Sequence, residues 1–198
     1  FQGESAVAIG NGAGTNTQIT GAIAVGYQAG NLGQGTNALA MGVQAGQYTQ
    51  GSGAVAIGFS AGNTQQGVDS VAIGSGAGQS SQSQNAVAIG YSAGSTFQGT
   101  NAVAIGYLAG SNTQIIGAIA VGYQAGNLGQ GTNAIAMGVQ AGQSGQSSGA
   151  VAVGFKAGNT QQGINAVSVG SGAGQINQSQ NSVAIGSNAG ATFQGESA

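Results

Sequence analysis

The chain has 198 residues, of which 42 are Gly, and its formal net charge at pH 7 is −2. It contains neither Cys nor His, and it has one basic and three acidic residues. Most hydrolase and zinc sites are excluded, because their bases, nucleophiles and N/S ligands are missing. A single cation also cannot form the clustered positive surface that nucleic acids require. We therefore expect no enzymatic activity, no cofactor, no metal and no nucleic-acid partner.

Apolar stretches in this sequence are short. They run for only about four residues, against the ~20 of a membrane-spanning helix. We therefore expect no insertion into a membrane.

Glycine recurs every sixteen residues without a single insertion or deletion. An Ala-Gly pair follows each of these glycines three residues later, and a Gln recurs with the same period. A frame held over twelve units predicts that each residue has a fixed place in a repeat structure. The recurring glycines, which we interpret as turn glycines, are Gly10, Gly26, Gly42, Gly58, Gly74, Gly90, Gly106, Gly122, Gly138, Gly154, Gly170 and Gly186.

Each unit opens with a strand pattern. In residues 22–25, small and β-branched side chains alternate with a period of two, and Gly26 ends the run. We expect a second, shorter extended piece over 27–29, a turn at Gly30, and turn structure from 31 to 37.

One unit has too few apolar side chains to form a core, so successive units must stack. The predicted fold is all-β: a parallel β-solenoid (β-roll) of twelve 16-residue coils with two short strands per coil. Stacking would bring the recurring amides into a ladder, each bonded to its neighbours one coil up and down. The members of this Gln ladder are Gln18, Gln34, Gln50, Gln66, Gln82, Gln98, Gln114, Gln130, Gln146, Gln162, Gln178 and Gln194.

Both faces of the first strand are apolar, and such strands are normally buried on both faces. We expect the β-branched row to fill the interior and the alanine row to pack on another copy of the chain. The reverse assignment, with Val and Ile outward at the interface, is the alternative. The alanines of the predicted self-association face are Ala22, Ala24, Ala38, Ala40, Ala54, Ala56, Ala118, Ala120, Ala134 and Ala136.

A row of aromatic residues follows the turn glycines. It is interrupted by Val and by polar residues, which favours a stacked aromatic spine or second packing seam over a sugar-stacking stripe. The aromatic members are Tyr27, Phe59, Tyr91, Tyr107, Tyr123 and Phe155.

A longer period lies above the sixteen. Residues 21–38 are identical to 117–134, and 1–96 align with 97–192 as an internal duplication. Residues 193–198 repeat 1–6 and begin a further copy. We therefore predict one uncapped solenoid over 1–198.

The segments NAVAIGYSAG (85–94), NAVAIGYLAG (101–110) and NSVAIGSNAG (181–190) resemble the head repeats of trimeric autotransporter adhesins, a left-handed parallel β-roll family. Residues 26–38 and 122–134 also look like repeats of viral and bacterial tail fibres. The resemblance implies an extracellular or virion-surface fibre of parallel β-rolls, usually trimeric.

From these observations we expect a structural fibre, a stiff β-solenoid that associates with itself as a homo-oligomer or an end-to-end filament. Its place would be extracellular: a cell surface, an extracellular filament or a virion fibre. An adhesin or receptor-binding fibre segment is the alternative, and an ice-binding solenoid is a minor one.

Overall fold

The structure is a computed structural model that describes all residues 1–198. It consists of short strands and turns, and it contains no helix of the length and hydropathy that crossing a membrane requires. The chain divides into two compact units, Phe1–Asn101 and Ala102–Ala198. The boundary between them lies close to the end of the first duplicated sequence block at residue 96. Strands are numbered below in chain order.

In the first unit, one parallel sheet contains a three-residue strand from every coil. Each residue pairs with the residue sixteen positions further on, as Val7 does with Ile23. These strands are β1 (Val7–Ile9), β2 (Ile23–Val25), β3 (Leu39–Met41), β5 (Val55–Ile57), β7 (Val71–Ile73) and β9 (Val87–Ile89).

A second parallel sheet of the first unit is formed by two-residue strands that end at the recurring Gln. They are β4 (Thr49–Gln50), β6 (Gln65–Gln66), β8 (Ser81–Gln82) and β10 (Phe97–Gln98). In the first coils the same pairing is reduced to single bridges, such as Gln18 to Gln34.

The second unit repeats this arrangement. Its first sheet contains β11 (Val103–Ile105), β13 (Ile119–Val121), β15 (Ile135–Met137), β17 (Val151–Val153), β19 (Val167–Val169) and β21 (Val183–Ile185). Its second sheet contains β12 (Thr113–Gln114), β14 (Leu128–Gln130), β16 (Ser144–Gln146), β18 (Thr160–Gln162) and β20 (Ile176–Gln178). Each unit is a parallel β-solenoid with a sixteen-residue coil, so the predicted fold class is confirmed.

The predicted position of the second strand is wrong. Residues 27–29 belong to a turn in which Gln28 has a φ of 53°, and the extended segment lies instead at the recurring Gln, as in Leu128–Gln130. The side chain of that Gln explains the difference. Nε2 of Gln130 donates to the carbonyl of Ile119, at 2.6 Å, and so ties the second strand to the first across the coil.

The orientation predicted for the first strand is also wrong. All the alanines assigned to the self-association face are buried, with 0–1 % of their surface exposed. These are Ala22, Ala24, Ala38, Ala40, Ala54, Ala56, Ala118, Ala120, Ala134 and Ala136.

At the alanine positions of the first strand, the coil interior is too narrow for a side chain as large as Val or Ile. A Cβ atom built on Gly126 would lie 3.3 Å from the Cβ of Ala120, so the opposite walls of a coil nearly touch. Alanine is the side chain that fits between them, and the bulkier Val and Ile point outward. The alternative orientation, with Val and Ile outward, is therefore the one found; that they lie at an interface stays a prediction.

Candidate interaction surface

The outward side of the first sheet is apolar in both units. We call the first and third residues of its three-residue strands the strand face. Every member is Val, Ile, Leu or Met, and none carries a charge or a hydrogen-bonding group. Because neighbouring strands of a sheet lie about 4.8 Å apart, these side chains form two continuous apolar rows within each unit.

Solvent reaches this face. In the first unit Met41 is 43 % exposed and Ile73 is 36 % exposed, and in the second unit Ile105 is 37 % and Met137 is 44 % exposed. Extended apolar surfaces of this kind are typical of sites that bind another protein surface.

The aromatic row lies two residues beyond the strand face and is likewise exposed. The rings of Tyr107 and Tyr123 are parallel, with an interplanar angle of 6° and centroids 5.2 Å apart. Because one face of each ring is turned toward the other ring, those two faces are not open to a sugar. For this pair the geometry is that of a stacked spine.

The recurring Gln residues lie inside the coils, next to the alanines. Nε2 of Gln18 donates to the carbonyl of Val7 at 2.7 Å and to that of Ala22 at 3.0 Å. The first acceptor is on the strand that carries the strand face, and the second directly precedes the next such strand. Each buried amide therefore braces the sheet from within.

Bonds between successive Gln side chains also form, but not at every step of the row. Nε2 of Gln50 donates to Oε1 of Gln66 at 3.1 Å, and Gln82 makes the same bond to Gln98. Oε1 of Gln82, by contrast, is buried without a hydrogen-bond partner. The backbone carbonyls are thus the regular partners of the Gln row, and the amide ladder is an addition to them.

The turn glycines end the strand face for a geometric reason. All twelve have φ between 116° and 133°, a region that L side chains rarely adopt. A Cβ atom on Gly26 would lie 2.5 Å from the carbonyl oxygen of Gly42. The close approach of successive coils therefore requires glycine here.

A second glycine row was not recognised from the sequence as part of the Gln site. Gly30 closes the Ala-Gly pair, and a Cβ atom on it would lie 2.7 Å from Oε1 of Gln34. The missing side chain is therefore what makes room for the buried amide. The regular interval between each Ala-Gly pair and the following Gln is the signal that could have revealed this contact.

Charge contributes little to the surface. Nζ of Lys156 lies 5.3 Å from the centre of the Phe155 ring, a cation–π contact on the aromatic row. No cluster of acidic, His or Cys side chains is arranged to hold a metal ion.

Two segments, 81–109 and 178–195, match the family model of the YadA head domain repeat. They include the three motifs that suggested adhesin heads, apart from the last residue of the second motif. No curated protein and no solved structure shows significant similarity to the chain. The chain thus contains two segments similar to the YadA head domain repeat within a parallel β-solenoid, which confirms its resemblance to the head repeats of trimeric autotransporter adhesins.

Proposed function

We propose that this chain is part of an adhesin head on a bacterial surface, assembled from copies of the chain through the strand face. The match to the YadA head domain repeat supports the adhesin assignment over the structural fibre that we preferred from the sequence. The observation that carries the assembly is the strand face itself, an apolar surface that is exposed or half-buried in every coil.

Assembly through this face explains why the outward side of the first strand is apolar, which a monomer in water does not need. A strand apolar on both sides has its alanines inside the coil and its Val and Ile outside, and the outer row gains stability only when another surface covers it. A second copy presents the same uncharged rows at the same spacing. Cyclic association of identical faces is the usual solution for such a chain, and the resemblance implies three copies.

The oligomer is tested by light scattering coupled to size exclusion, with Ile73→Lys as the variant. Ile73 is on the strand face, and a lysine there would place like charges together where copies meet. Gln65→Lys is the matched control, since Gln65 is exposed on the second sheet of the same unit. We expect a single oligomer for the parent and for Gln65→Lys, and monomers for Ile73→Lys. A monomeric parent, or an oligomer unaffected by Ile73→Lys, would contradict the assembly.

Adhesion is tested separately, with beads coated in the parent chain or in Ile73→Lys. They are applied to glycan arrays, to immobilised matrix proteins and to epithelial monolayers. We expect the parent beads to be retained on at least one of these surfaces more strongly than beads coated with an unrelated protein. If the oligomer forms but the beads are not retained on any surface, the chain is a structural segment and the adhesin assignment fails.

A further inference from the structure

The stacked pair Tyr107 and Tyr123 occupies the same position in two successive coils of a chain that has no cysteine. Tyr107 is 45 % exposed and Tyr123 is 47 % exposed. Since each ring turns a face to the other, a substantial part of this exposure is at the ring edges. The reactive ortho carbons of a phenol lie on that edge.

The backbone holds these two rings in register. The N–H of Gly122 donates to the carbonyl of Ile105, and the N–H of Gln124 donates to the carbonyl of Tyr107, both at 2.8 Å. Tyr123 is therefore fixed on both sides to the coil that carries Tyr107. Little movement is left to the pair except rotation of the rings about their own side-chain bonds.

We propose that Tyr107 and Tyr123 form a site of oxidative cross-linking, where a one-electron oxidant joins the two rings by a carbon–carbon bond. The oxidant class is a haem peroxidase with hydrogen peroxide. Each phenol loses one electron and its hydroxyl proton, and the two phenoxyl radicals couple at their ortho carbons. Each ortho hydrogen then leaves as a proton while the phenol oxygen is reprotonated. The product has two hydrogen atoms fewer, and one peroxide is reduced to two waters.

Such a bond would link two neighbouring coils covalently, as a disulfide links two segments of a chain. Tyr27 and Tyr48 offer a contrast. The positions equivalent to Tyr27 in the adjacent coils are Asn11 and Val43, and those equivalent to Tyr48 are Leu32 and Thr64. Neither tyrosine has an aromatic neighbour in its own row.

The test uses the 198-residue chain with Tyr91→Phe in every sample, since Tyr91 is one repeat before Tyr107 and would complicate the mapping. Protein at micromolar concentration is treated with peroxidase and peroxide, and dityrosine fluorescence is followed. Bands that migrate as single chains on a denaturing gel are digested and mapped by mass spectrometry. We expect one cross-linked pair of peptides, containing Tyr107 and Tyr123, with the loss of two hydrogen atoms.

Two further variants separate this result from general oxidation. Tyr107→Phe keeps an aromatic ring in the stack, and we expect it to lower single-chain dityrosine at least about tenfold, because an oriented pair reacts at a far higher effective concentration than free groups. Tyr27→Phe should leave the yield unchanged. The proposal is overturned if the cross-links occur only between chains, if they involve Tyr27 or Tyr48 as often, or if Tyr107→Phe keeps the parent yield while its circular dichroism shows an intact fold.

Discussion

The hydroxyl of Ser168 donates a hydrogen bond of 2.5 Å to Oε1 of Gln178 and accepts one of 3.2 Å from Nε2 of Gln162. Ser168 replaces one of the buried alanines of the coil interior, and it is itself fully buried. In five other coils the corresponding Gln oxygen is buried without a partner: Gln18, Gln34, Gln50, Gln82 and Gln146. A Ser can therefore replace an interior Ala at a position from which its hydroxyl donates a hydrogen bond to a Gln Oε1 that otherwise has no partner.

Ala136→Ser should therefore stabilise the second unit. Ala136 is ten residues before Gln146, the same spacing as Ser168 to Gln178, and Gly142 leaves room as Gly174 does beside Ser168. We expect the free energy of unfolding to rise by about 1 kcal/mol, the usual net value of one hydrogen bond. The midpoint of guanidinium unfolding measures it.

Ala136→Val is the matched control, because it adds volume without a donor. We expect it to lower the free energy of unfolding by about 1–3 kcal/mol through overpacking of the narrow coil. A serine variant as destabilised as the valine variant would show that the orphaned oxygen is not reachable from this position.

How far the sequence predicts this fold is visible at Gly26 and Gln34. Each of them recurs every sixteen residues, and this period predicts the coil, the parallel register and the stacking of the amides, because equivalent residues then meet in successive units. The same spacing predicts that Val7 pairs with Ile23, as it does.

Which side of the first strand faces the coil interior could not be predicted from this period. A strand with Ala on one side and Val or Ile on the other has no polar side to mark solvent, and the larger residues are ordinarily the buried ones. The outcome depends on the width of the coil, which is so small that a Cβ atom on Gly126 would lie 3.3 Å from the Cβ of Ala120. The distance across the coil depends on the tertiary structure and cannot be predicted from a local sequence pattern.

Adjacent residues in β6 provide a test of the buried amide. Gln66 is buried, with Nε2 donating to the carbonyl of Val55 at 2.6 Å, whereas Gln65 is exposed. Gln66→Glu replaces the donor with a carboxyl group in a dry interior, and burial raises the pKa of that carboxyl above the ~4.3 it has when unfolded. Stability is then retained below the unfolded pKa and lost as the pH rises through the folded pKa.

We therefore expect Gln66→Glu to unfold at lower temperature at pH 7 than at pH 4, by more than the parent does. The neighbouring variant Gln65→Glu, which has the same charge, should show the pH dependence of the parent. Thermal melts followed by circular dichroism at both pH values measure this. Equal behaviour of the two glutamate variants would mean that the Gln row is hydrated.

Substitutions at two glycines of the second unit distinguish the cost of steric crowding between coils from the cost of backbone strain. Gly122 has φ of 133°, and a Cβ on it would lie 2.5 Å from the carbonyl oxygen of Gly138, whereas Gly129 has φ of 81° and open space around it. Gly129→Ala should cost only the ~1–2 kcal/mol of left-handed strain. Gly122→Ala should cost clearly more, because successive coils must also move apart. Guanidinium midpoints of the two variants give the comparison, and equal midpoints would refute the crowding.

One local sequence takes two backbone conformations in this chain. Residues 62–67 and 158–163 both read GNTQQG, yet Gln65 is extended within β6 while Gln161 has φ of 53°. The adjacent coils account for the difference. Gln161 lies between Gly145 and Asn177, which have φ of 71° and 52°, whereas Gln65 pairs with Thr49 and Ser81 in extended strands. The stacked neighbours impose the conformation, and Gln161 carries the strain.

Glycine at these two positions should therefore have opposite effects. Gln161→Gly removes about 1–2 kcal/mol of left-handed strain, and this exceeds the roughly 0.5–1 kcal/mol that glycine loses in backbone entropy on folding. Gln65→Gly bears that entropic cost with no strain to relieve. Both side chains are exposed, so little packing changes in either variant. We expect guanidinium midpoints to rise for Gln161→Gly and to fall for Gln65→Gly. A fall of the same size in both would mean that Gln161 is extended like its counterpart.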